Sequence, residues 1–200
     1  MIPGLEALER LKTGNQKFVQ SLRSGGAGAE VRPFELGKDQ QPFAIILGCS
    51  DSRVPAELVF GQGFGDLFVI RVAGNIVAPS QVGSIEFAAA RFDTRLAVVL
   101  GHTSCGAILA TLDELKQDEK HKSPNLRAIV DRIRPAVEPL LADKAARHDD
   151  IVRRAVRANI QASVDHLRHG SAILEQLVAK NGLLIVGAEY CLETGVVEFL

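Results

Sequence analysis

Cys49-Ser50-Asp51-Ser52-Arg53 and His102-Thr103-Ser104-Cys105-Gly106 gather two thiols, an imidazole, a carboxylate and a guanidinium into two short segments. Each segment directly follows a strongly apolar run. Two thiolates and an imidazole suit Zn²⁺, at about 2.3 Å for sulfur and about 2.0 Å for nitrogen, and three protein ligands leave a tetrahedral position open for water. Structural zinc sites usually have four Cys or His ligands, so a three-ligand set with an acidic neighbour points to catalysis. Asp51 has two roles open to it. It can fill the fourth position itself, or a bidentate ion pair with Arg53 can hold it away.

The charge balance of such a site sets its chemistry. Two thiolates formally cancel the charge of the zinc, so a bound water is acidified less than on a metal held by three neutral imidazoles. A helix beginning near Gly106 would aim its free amides at the Cys105 sulfur and withdraw some of that negative charge. An Asp51 held by Arg53 would accept a hydrogen bond from the metal's water or hydroxide and select a protonated substrate oxygen. The product of these effects is a metal hydroxide poised for attack.

Strands must place these residues. Phe43 to Leu47, Leu67 to Ile70, Leu96 to Leu100 and Leu183 to Gly187 are continuous apolar runs, the pattern of strands buried on both faces of a parallel sheet. Val196 to Leu200 is a short final strand. The turn at Thr194-Gly195 pairs it antiparallel to the strand before it. Between the strands the sequence predicts helices over Gln81 to Phe92, Ala107 to Leu115, Pro124 to Leu141 and Asp149 to His169, with Pro135 and Pro139 breaking the third. Leu5, Leu8, Leu11, Phe18 and Leu22 predict an amphipathic helix ending near Ser24. The expected fold is therefore α/β: a mostly parallel central sheet of four strands with an antiparallel edge strand, flanked by helices. A single domain spans residues 1–200, with an N-terminal helical arm over 1–24.

Composition narrows the function classes. A net charge of −1 over 200 residues supplies no field for nucleic acid or an anionic membrane. No apolar stretch approaches the roughly 20 residues that cross a bilayer, and Met1 to Val19 does not read as a signal peptide. Three cysteines without a disulfide framework fit a reducing, cytoplasmic setting. His121, His148, His166 and His169 lie among charged helical residues and read as solvated, and Cys191 as a buried small apolar residue. Gly61-Gln62-Gly63-Phe64-Gly65 precedes a strand instead of joining strand to helix, which argues against a phosphate loop.

At its two chemical segments the chain resembles the β-class carbonic anhydrases, whose hallmark is a Cys-Ser-Asp-Ser-Arg segment paired with His-x-x-Cys. The similarity runs from Gln40 through Cys105 and resumes from Val186 to Leu200. It implies one Zn²⁺ per subunit on Cys49, His102 and Cys105, with Asp51 on the metal or paired to Arg53. It also implies reversible hydration of CO₂ to bicarbonate and a proton by zinc-bound hydroxide, in a homodimer or higher even-numbered assembly whose N-terminal helices pack on the partner. Gln40 matches a substrate-binding glutamine of the plant-like subtype and Phe68 an aromatic wall, both contributed by the neighbouring subunit. Phe87 stands where a tyrosine hydroxyl reaches substrate, so one polar contact is missing. Gly106 offers a backbone amide to the substrate. Ile46 replaces the tryptophan of allosteric relatives, although Arg71 and Tyr190 match that regulatory pocket, and Cys191 replaces a common aspartate. Rival readings are hydrolysis of CS₂ or COS on the same fold and a catalytically silent zinc-binding module.

Overall fold

The computed structural model describes residues 2–24, 40–116, 123–143 and 145–200. Pro33, His121 and the whole charged stretch 117–122 lie outside the described residues. Five strands form one sheet: β1 (Ala44–Gly48), β2 (Leu67–Arg71), β3 (Leu96–His102), β4 (Leu184–Tyr190) and β5 (Val197–Phe199). Their order is β2-β1-β3-β4-β5. The first four run parallel, and β5 pairs antiparallel with β4. Every residue of β1 and β3 is buried, as continuous apolar runs require when helices cover both faces.

The alternation of strand side chains divides the core in two. Ile45 and Leu47 face one apolar cluster, Ala44 and Ile46 the other. Helices α3 (Pro79–Arg91), α4 (Gly106–Lys116), α5 (Pro124–Val137), α6 (His148–His169) and α7 (Ala172–Lys180) contribute to the first cluster. The N-terminal helix α1 (Gly4–Arg23) and the single turn α2 (Ala56–Val59) contribute to the second.

The end of α5 differs from the sequence expectation. Pro135 does not break α5, because it lies in the last turn, where only one backbone hydrogen bond is lost. The chain then tightens into a 3₁₀ turn at Glu138–Ala142 that takes up Pro139. In α1, Ala7 and Leu11 are buried in the second cluster against the chain's own sheet and α2, while Leu5 and Leu22 on the same helix stay exposed.

Asn15 fixes this arrangement. Its amide donates to Val59 O at 3.0 Å and Gly195 O at 2.9 Å, while its carbonyl accepts from Val197 N at 2.9 Å. One side chain thus ties α1 to α2 and to the β4–β5 hairpin. Gly14 permits the close approach, since a Cβ there would lie 1.8 Å from the carbonyl oxygen of Phe60. Helix propensity alone would favour Ala at this position by up to about 1 kcal/mol. The steric clash is expected to reverse that sign: Gly14→Ala should lose about 1–3 kcal/mol of stability in a urea titration. An unchanged or raised midpoint would show that α1 sits further from α2.

Candidate metal centre

In a parallel sheet, ligands gather beyond the carboxyl ends of the strands where the strand order reverses. Here that point lies between β1 and β3, because the chain leaves β1 for β2 on one side and returns to β3 on the other. Gly48, the last residue of β1, pairs with Leu100 of β3. Cys49 therefore emerges beside His102, the terminal residue of β3, and Cys105 follows after a tight turn. Ser104 makes that turn with φ 55°, a left-handed conformation that a non-glycine residue adopts only when its surroundings hold it there.

The side chains converge. The sulfurs of Cys49 and Cys105 are 4.0 Å apart, and the donor atoms of Cys49, His102 and Cys105 lie within 4.8 Å of one another. Two thiolates sharing a tetrahedral zinc would be about 3.8 Å apart, from bonds of about 2.3 Å. His102 is fully buried. Its Nδ1 lies 2.9 Å from Thr103 O, a contact that places the proton on Nδ1 and leaves the Nε2 lone pair facing the sulfurs. Nε2 is buried and has no hydrogen-bond partner. An unsatisfied buried nitrogen is costly, and a metal ion would satisfy it. The donor set fits Zn²⁺.

Amides stabilise negative charge on both sulfurs. Gly74 N donates to Cys49 Sγ at 3.4 Å, and the Asp51 amide assists. The Ala107 and Ile108 amides, in the first turn of α4, donate to Cys105. Without metal the two sulfurs share one proton: the hydrogen bond from Cys105 pulls Cys49 down to about 4, and the same bond, with burial, pushes Cys105 up. Burial opposes protonation of His102, yet the close approach and charge of the Cys49 thiolate outweigh it and raise its pKa.

Asp51 is held by Arg53. The guanidinium Nε and Nη2 donate to Oδ1 and Oδ2 at 2.9 and 2.7 Å, and the Arg53 amide adds a third bond at 3.0 Å. These bonds hold the Asp51 carboxyl well below the usual carboxylate range. Its Oδ2 lies 3.8 Å from His102 Nε2, at the edge of the cluster.

Three contributors have no signature in side-chain spacing. The Gly74 amide reaches Cys49 across 25 residues of sequence. Thr103, beside the ligand, fixes the His102 ring through its carbonyl and accepts Leu192 N on its hydroxyl at 3.1 Å. Arg71 donates to Cys49 O at 3.0 Å and Asp51 O at 2.5 Å, clamping the loop that carries both residues. Only Gly74-Asn75, at the carboxyl end of a strand like the two chemical segments, offered a positional hint.

The substrate residues suggested by resemblance divide by location. Gly106 opens α4 next to Cys105 with free space beside it. Gln40 lies at the opposite end of β1, whose five residues span roughly 16 Å, so it cannot serve the metal cluster of its own chain. Phe68 and Phe87, with Phe92, form an aromatic group with ring centroids 5.7–6.2 Å apart, and Phe87 remains 53% exposed. His148, His166 and His169 are exposed. Cys191 is half-buried at the β4–β5 turn, where a hydrogen bond with Thr194 lowers its pKa.

The carbonic anhydrase family profile matches residues 44–197. The carbonic anhydrase of Mycolicibacterium smegmatis is 39% identical over 194 residues, covering 96% of this chain and 91% of the relative. Carbonic anhydrase 2 of Mycobacterium tuberculosis is 36% identical over 189 residues, with 94% and 89% covered. Among solved structures, a tetrameric β-carbonic anhydrase from Sordaria macrospora superposes with a TM-score of 0.69 at 26% identity, covering 81% of this chain and 82% of that one.

Replacing Cys105 by Ser should remove the metal, because a neutral hydroxyl is a poor substitute for a thiolate on zinc. Elemental analysis of the purified variant is expected to show at least about a tenfold loss of zinc occupancy under mild chelation. Retention of one zinc per chain would remove Cys105 from the ligand set.

Proposed function

This chain belongs to the β-class carbonic anhydrases, and from that premise we propose how its own residues divide the work of hydrating CO₂ reversibly to bicarbonate and a proton. Cys49, His102 and Cys105 hold one Zn²⁺ per subunit. Zinc supplies Lewis acidity that makes a bound water a nucleophile near neutral pH. The observation that carries this reading is the partnerless, buried Nε2 of His102 facing two thiols, beside a carboxylate already engaged by Arg53.

Asp51 and Arg53 act as a unit. Paired to Arg53, the carboxylate is kept off the metal and stays ionised through the working pH range, so it can accept a hydrogen bond from the attacking water and orient it. The Arg53 pKa is raised by Asp51, so both charges persist together. The Gly106 amide is one of the first-turn donors of α4 that have no partner within the helix, and the space beside its Cα is open, so it can serve a substrate oxygen there.

Gln40 and Phe68 complete the substrate pocket of the neighbouring subunit, with Phe87 beside Phe68 in the same aromatic group. The place of Gln40, at the opposite end of β1 from the cluster of its own chain, supports a homodimer in which each copy lends these residues to the other. Half-exposed Phe87 and Phe64, and the open edge of β2, support such an interface. All three cysteines are free, which supports a reducing, cytoplasmic setting. Among the described residues no helix is long and apolar enough to cross a membrane.

Exchange of ¹⁸O between CO₂ and water tests the reading directly. The zinc-loaded protein should catalyse exchange and the metal-free protein should not. Hydrolysis of CS₂ or COS without exchange would favour the sulfur-analogue reaction, and zinc binding with neither activity would identify a silent module.

Replacing Arg53 by Ala releases Asp51. Zinc content should stay at one per chain while CO₂ hydration falls about 10–100-fold, the usual range for losing a group that orients a metal site. Full activity in the variant would sink the holding role. The pH profile provides a separate check. Because Asp51 and Arg53 keep their charges, water alone has a proton to lose, so activity should rise toward alkaline pH along a single-proton limb. A steeper rise would show that a second group titrates with it.

A further inference from the structure

The 3₁₀ turn at Ala73–Asn75 has an unusual backbone: Gly74 takes φ 70° and ψ 18°, and Asn75 follows at φ 43°. Two successive left-handed residues, one of them not glycine, persist only where the surroundings over-determine them. A Cβ at Gly74 would lie 2.9 Å from Ile133 Cδ1 and 3.1 Å from Ala107 Cβ, so the turn is pressed between α5 and α4. What the conformation achieves is to point the Gly74 amide at Cys49 Sγ, 3.4 Å away.

Two buried side chains of α6 hold the turn from the other side. Asn159, 2% exposed, donates from Nδ2 to Gly74 O at 2.8 Å, and Ser163, one turn along, donates from its hydroxyl to Asn75 O at 3.2 Å. A buried amide in the middle of a 22-residue helix is a poor choice for helix formation and costly unless paired. Its bond to Gly74 accounts for its presence. We propose that Asn159, assisted by Ser163, is a positioning residue for the metal centre: it holds the Gly74–Asn75 turn so that an amide donates to the Cys49 thiolate and draws charge from the sulfur.

The inference rests on Cys49 being a metal ligand. Its physical content is that an amide donor weakens a thiolate's electron donation, which matters most where two thiolates already offset the charge of the ion. Losing the donor leaves a more electron-rich sulfur in a less ordered position. Ligand geometry and sulfur-to-metal charge transfer therefore both change, whereas a merely structural role for Asn159 alters neither.

The test uses the full chain as Asn159→Ala, Ser163→Ala and Val164→Ala. Val164 is buried on the same helix but packs near Gly187 of β4, away from the turn. Zinc affinity is measured by chelator competition, and the thiolate-to-cobalt charge-transfer band is recorded after Co²⁺ loading. Asn159→Ala should bind zinc at least about tenfold more weakly and move the band to longer wavelength. Ser163→Ala should move it less in the same direction, and Val164→Ala should lower the melting temperature while leaving affinity and band in place. Wild-type affinity and an unshifted band in Asn159→Ala, or an equal shift in Val164→Ala, overturns the proposal. If Asn159→Ala does not fold, Ser163→Ala decides by the same band: a shift supports the proposal and no shift overturns it. A wild-type protein showing no thiolate-to-cobalt band would overturn the metal-centre reading itself, and this inference with it.

Discussion

Parallel pairing of β1 with β3 brings the carboxyl ends of two strands to the same edge of the sheet, and the metal cluster depends on that register. A one-residue slip would turn Cys49 toward the opposite face, because strand side chains alternate. Burial makes such a slip costly. Ile45 and Leu47 on one side, and Ala44 and Ile46 on the other, already fill separate apolar clusters. The same packing that stabilises the sheet thus sets the 4.0 Å separation of the two sulfurs.

A second theme is the dispersal of negative charge. Two cysteines and an aspartate converge within one crevice, and each is met by a donor that the fold supplies. Cys105 sits under the first amides of α4, Cys49 receives the amide of a strained turn, and Asp51 receives the guanidinium and amide of Arg53. Arg71 adds its positive charge to the carbonyls of the loop between them. Each donor leaves a sulfur or carboxylate less electron-rich, which preserves the acidity of an ion that two thiolates would otherwise neutralise.

The surroundings of the cluster show how far this support extends. The donor to Cys49 is held by α6 from the face opposite the ligand, and the His102 ring is held by Thr103, whose hydroxyl is tied to Leu192 beyond β4. Helices and hairpin remote from the metal in sequence therefore bear on its ligands. On the far face, Asn15 ties α1 to α2 and to the β4–β5 hairpin.

Much of this was legible in the residues themselves. The strands announced themselves because a parallel sheet buries both faces and so demands uninterrupted apolar runs. The Asp51–Arg53 pair was legible because its members are two residues apart and can meet without help from the fold. The ligand set could be read from side chains whose chemistry has few other uses. What the tertiary structure alone decided concerns backbone groups and distant packing. The Gly74 amide that meets Cys49 is chemically the same as any other amide, and the Asn159 that aims it lies 85 residues away. The seating of α1 likewise depended on shape, since an amphipathic stripe shows that a helix has a face to bury without showing that Asn15 would tie it to α2 and the β4–β5 hairpin.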